Sequence, residues 1–85
     1  MSPKRLLERI ARGDLTNVSF ADMGRLVEAV GFVLQRTSGS HHIYVHPEIP
    51  EILNLQVVDG EAKPYQIRQF LRLVDRYALR VEEGR

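Results

Sequence analysis

Histidine is the side chain whose unperturbed pKa, about 6.5, lets it both take and give a proton near neutral pH. Three histidines stand in one short run: His41, His42 and His46. Their neighbours separate them. His41 follows Gly39 and Ser40, two small residues in a turn cluster, where backbone amides can meet an anion and a ligand can come close. That setting suits a phosphodiester. Successive residues of an extended strand face opposite ways, so His42 shares a face with Tyr44 and is expected to be partly buried, while His46 lies against Pro47 at a strand end. Both read as structural residues. Imidazole also suits zinc, copper or nickel. Because His41 and His42 point to opposite faces and no fourth ligand is evident, no metal and no cofactor are expected.

Cationic residues offer the matching phosphate contacts. Lys63 precedes Pro64, a residue suited to the first position of a helix, and a lysine there reinforces the positive end of the helix dipole. Arg68, Arg72, Arg76 and Arg80 follow at four-residue spacing. They form a stripe that fits either backbone binding or a solvated helix face. Arg36 belongs to a strand near the turn and has Glu48 and Glu51 as alternative partners. The candidate phosphate-binding set is therefore Gly39, Ser40, Lys63, Arg36, Arg68 and Arg72. Tyr65, Gln66 and Gln69 can bond sugar or base, or simply solvate the helix, and Gln56 is a weaker candidate because alternation alone does not say whether its face is open.

Hydrophobic periodicity supplies the elements that carry these residues. Pro3 opens a short amphipathic helix over residues 3–12 with Leu6, Leu7 and Ile10 on one side, stopped by Gly13. Ser19 caps a second helix over about 19–30, on which Phe20, Met23, Leu26, Val27 and Val30 recur at helical spacing. The period then changes. Residues 32–36 and 42–46 read as strands around a turn at 37–40, with Pro47 and Pro50 ending the second strand and residues 52–58 making the third, Leu53, Leu55 and Val57 on one face. From Pro64 a last helix places Ile67, Leu71, Val74 and Ala78 in one apolar row, and residues 80–85 form a tail expected to fray. The order predicts an α+β fold of the double-stranded-RNA-binding type, α-β-β-β-α, with an additional short N-terminal helix.

Size and composition narrow the class. At 85 residues the chain predicts one domain over residues 1–85, divided into a helix and link at 1–18, a core at 19–79 and the tail. Hydrophobic residues at 44% indicate an ordered globular chain. The absence of cysteine leaves apolar burial to hold the fold and fits a cytoplasmic protein. No segment reads as a secretory signal or a membrane span, so no membrane partner is expected.

Gly31-Phe32, Arg36, Gly39-Ser40-His41-His42, Tyr44 and His46-Pro47, taken with the order of elements from Phe20 to Leu79, resemble the central signature of HicA toxins. The resemblance implies a small ribonuclease acting on mRNA, with His41 as the catalytic residue and Gly39 beside it, and a HicB-type antitoxin as protein partner. The chain departs from many relatives after the third strand, where it carries Leu55-Gln56 and Lys63-Pro64-Tyr65-Gln66 in place of a Pro-His-Pro turn and a lysine pair. Two alternatives stay open: an RNA-binding module without catalysis, and a protein-interaction subunit that uses Ile43 and Val45.

Overall fold

The computed structural model describes residues 1–82. Six elements follow one another: α1 (Pro3–Ala11), α2 (Phe20–Ala29), β1 (Val33–Ser38), β2 (His41–His46), β3 (Ile49–Gln56) and α3 (Pro64–Tyr77). This is the α+β arrangement of one helix, three antiparallel strands and a last helix, with α1 added in front. The part of the expected tail at 83–85 lies outside the described residues. Among the described residues no helix is long and apolar enough to cross a membrane.

Both leading helices start where serine accepts an orphan backbone N–H. Ser2 Oγ accepts from Arg5 N at 3.2 Å, and Ser19 Oγ accepts from Asp22 N at 3.1 Å. Leu6 and Ile10 of α1 and Met23, Leu26 and Val27 of α2 are buried, as spacings of three and four residues require of one helix face. Helix α3 begins at Pro64 with Lys63 as an N-cap whose side chain makes no capping hydrogen bond. It buries Gln66, Ile67, Phe70 and Leu73 and ends when Ala78 turns left-handed at φ 53°. Ala78 is thus the C-cap and not the last member of the apolar row. Beyond it Leu79 and Val81 pack against the core, and Glu82 N donates to Ala29 O at 3.0 Å.

The strands lie in the order β1-β2-β3, so β2 is central and both neighbours are edges. The first turn is tighter than the sequence suggested. Thr37 and Ser38 continue β1, and Gly39-Ser40 alone make the bend, with Gly39 at φ 60° in the first central position, as a II′ hairpin requires. The third strand starts earlier than expected, at Ile49, and contains Pro50. An edge strand tolerates a residue without an N–H, and the pairing shifts register there between Tyr44 and His46. Val57 falls beyond the strand, its N–H bonded to Ser40 O at 3.0 Å.

The helices share one core on one side of this sheet, with α3 packed on β3 and α1 packed on α2. Tyr44, Leu53 and Leu55 join Leu6, Ile10, Met23, Leu26, Val27, Ile67 and Phe70 in a single core. Pairing fixes what lies opposite: His41 faces Ser38 and Gln56, and Ile43 faces Arg36 and Asn54. These residues have the parity opposite to Tyr44, Leu53 and Leu55, so they occupy a face that, among the described residues, no helix covers.

Candidate functional site on the open sheet face

His41 is the first residue of β2, and the two-residue bend sets its position directly. Its ring is exposed on the open face, and Nδ1 stands 3.1 Å from Asn54 Oδ1 on β3. Gln56, paired with His41 across the strands, donates from Nε2 to Ser40 Oγ at 3.2 Å. Arg36 is exposed on β1, one pair further along the same face. Such a diagonal separation is about 7–8 Å between backbones, well within the reach of an arginine. It makes no ion pair among the described residues; Glu51, a partner considered from sequence, is taken by Arg76 at 2.9 Å and by the Tyr77 hydroxyl at 2.5 Å.

The other two histidines have different tasks. His42 is half-buried on the helix side, its ring centroid 4.7 Å from that of Phe20, with Nδ1–H donating to Ser40 O at 3.3 Å. His46 is bonded at both nitrogens: Nε2–H donates to Val30 O at 3.1 Å, and Nδ1 accepts from Glu48 N at 3.1 Å. Its ring also meets Phe32 edge-on at 5.1 Å. Gly31 is what admits it, since a Cβ there would lie 2.6 Å from Nε2. Among the described residues no three His, Cys, Asp or Glu side chains gather as metal ligands.

The remaining candidates are spread over two sides of the molecule. Gly39 and Ser40 adjoin His41 in the bend. Lys63 is the N-cap of α3, on the link that follows Gln56, the cross-strand partner of His41. Arg68 and Arg72 are exposed on α3, whose packing face is turned to the opposite side of the sheet from His41. Arg72 lines a shallow cleft of about 580 Å³ with Glu51, Gln69, Leu73, Asp75 and Arg76. Tyr65 is exposed, whereas Gln66 is only 3% exposed and its Oε1 has no partner among the described residues. Burial takes Gln66 out of reach of a ligand at the surface.

The open face also has an apolar half. Ile43 is 8% exposed yet stands outside the main core, while Val33 (58% exposed) and Ile52 (56%) lie bare, with Val45 paired to Val33. Among the described residues neither β1 nor β3 has a helix over this side.

A family model described as the HicA toxin of bacterial toxin–antitoxin systems matches residues 20–75. The chain belongs to the HicA family. The matched stretch begins with α2, takes in the whole sheet and most of α3, and leaves α1 outside. No curated protein and no solved structure matches. Membership makes this HicA chain the toxin of a toxin–antitoxin pair, whose counterpart is an antitoxin.

Reading the sequence did not single out Asn54. A signal was present: Leu53-Asn54-Leu55-Gln56 alternates apolar and amide, so both amides must share the face away from the leucines. What the alternation lacks is the register that sets them beside His41.

Proposed function

We propose that this HicA chain is a metal-independent endoribonuclease that cleaves mRNA, with His41 as its general acid/base. The observation that carries the reading is the exposed His41 ring at the first position of β2, on a sheet face free of helices and next to a glycine-containing bend. The 2′-hydroxyl attacks the adjacent phosphorus and loses its proton to the unprotonated ring nitrogen of His41. A P–O2′ bond forms, the P–O5′ bond breaks, and the departing 5′ oxygen takes a proton from the imidazolium or from water. The products are a 2′,3′-cyclic phosphate and a 5′-hydroxyl end. Dependence on the 2′-hydroxyl makes RNA the substrate and DNA inert.

Gly39 and Ser40 amides at the bend would meet the phosphate oxygens. Arg36 supplies charge on the same face, and Lys63, Arg68 and Arg72 would hold more distant phosphates. The antitoxin, of HicB type, would cover the open face, where bare Val33 and Ile52 adjoin the polar site. Expression in the cytoplasm, where mRNA is available, follows from the same reading.

Positioned proton transfer contributes about 10²–10⁴-fold. His41→Ala is therefore expected to lose cleavage of single-stranded RNA by at least about 100-fold while its circular dichroism stays native. Cleavage at the wild-type rate by the folded variant would refute the proposal. Retained RNA binding without any cleavage by the wild type would make the chain a binding module.

A further inference from the structure

Neutral imidazole has one N–H and one bare nitrogen, and only the bare one can accept a proton. Which is which depends on the partner of the other nitrogen. Among the described residues Asn54 is the polar partner of the His41 ring, with Oδ1 3.1 Å from Nδ1. A carboxamide oxygen only accepts, so Nδ1 must carry the hydrogen. Nε2 is then left bare. The pairing is cross-strand: Asn54 stands opposite Ile43, and His41 stands opposite Gln56, one pair along on the same face. Gln56 is occupied with Ser40 Oγ and so does not compete for the ring.

We infer that Asn54 is a positioning residue for His41, holding its ring in the Nδ1–H form so that Nε2 is the atom that removes the 2′-hydroxyl proton. The inference rests on the nuclease reading above and adds to it the working atom and the residue that selects it. When Nε2 takes the proton, the ring becomes a cation and its bond to Oδ1 becomes charge-assisted, which strengthens it at the point where charge develops. Asn54 touches neither substrate nor phosphate in this scheme. Its contribution goes through His41.

The molecule contains its own standards for the measurement. His46 donates through Nε2 to the Val30 carbonyl, and His42 donates through Nδ1 to the Ser40 carbonyl, so the two give the two tautomers in one spectrum. Long-range ¹H–¹⁵N correlation of the ¹⁵N-labelled full chain, at a pH where the rings are neutral, is expected to show His41 as Nδ1–H, like His42 and unlike His46. Asn54→Ala is expected to shift His41 towards the Nε2–H form and to lower kcat on a short single-stranded RNA by about 10-fold with KM within about twofold. Asn54→Asp, which keeps an accepting oxygen at this position, is expected to retain the Nδ1–H form. A wild-type His41 found as Nε2–H would overturn the inference without any variant, as would an Asn54→Ala protein with an unchanged tautomer or unchanged kcat. Loss of cleavage in His41→Ala alongside full activity in Asn54→Ala would remove Asn54 alone. The expected tautomers alongside a fully active His41→Ala would instead remove the nuclease reading.

Discussion

The two ends of β2 carry the same side chain under opposite conditions. At one end His46 is bonded through both nitrogens, stacked edge-on to Phe32 and fitted over the bare Cα of Gly31. At the other, His41 has a single bonded nitrogen and an exposed ring. A histidine that satisfies both nitrogens internally has no atom to offer a ligand, and its energy goes into the fold. One that leaves a nitrogen open contributes little to stability and is available for chemistry. The difference arises from what the backbone does next to each ring. Near His46 three segments converge, Val30-Gly31-Phe32, the bend at Pro47-Glu48 and the end of α3. His41 has only a two-residue bend and the open face of the central strand.

Breaking the closed end should have the largest effect on stability. Gly31 has φ 109°, and a Cβ on it would lie 2.6 Å from His46 Nε2. Gly31→Ala therefore combines backbone strain with a forced displacement of the ring and is expected to cost roughly 2–4 kcal/mol. That is a large share of the roughly 5–15 kcal/mol available to a small domain. Urea unfolding checks it, and a loss below about 0.5 kcal/mol would mean that the ring moves aside freely.

His46→Ala removes the partner of the Val30 carbonyl and is expected to cost about 1–3 kcal/mol. RNA cleavage per folded molecule should stay at the wild-type level. Thermal unfolding and single-turnover cleavage, measured on one preparation, separate the two quantities. A folded His46→Ala protein that no longer cleaves would erase the distinction between the two ends.

The smallest effect concerns Glu51, which helps fasten β3 to the end of α3. The Tyr77 hydroxyl, donating to Glu51, holds its carboxyl below the usual value of 4.5, with Arg76 adding to the effect. A depressed carboxyl contributes stability that is fully present above its unfolded pKa and is lost as pH falls through the folded one. The wild type should therefore lose part of its thermal stability as pH drops below 4.5. Tyr77→Phe should lose less over that interval, having less to lose. Parallel melting profiles for the two proteins would show that the contact does not favour the ionised carboxyl.

Much of this could be read from residue order, and the reasons are local. Ser2, Ser19, Pro3, Pro64 and the glycines mark helix ends by chemistry that needs no tertiary partner. His41 was distinguishable from His42 because a strand turns alternate side chains to opposite faces. Pro50 misled, since its exclusion from central strands does not apply at an edge, and the edge position of β3 is a property of the whole sheet. Asn54 was hidden for a related reason. It lies 13 residues from His41, and only the register of β2 on β3 brings the two together. The arginines of α3 show the converse: their spacing is plain in the sequence, but the side of the sheet they reach is decided by which helix face the core takes.

The central claim is that the ring left open on β2, and neither of its neighbours, carries out RNA cleavage. The direct measurement is single-turnover cleavage of one single-stranded RNA by folded wild type, His41→Ala and His46→Ala, each corrected for its folded fraction. His41→Ala alone should lose at least about 100-fold. Equal cleavage by His41→Ala and wild type would contradict it.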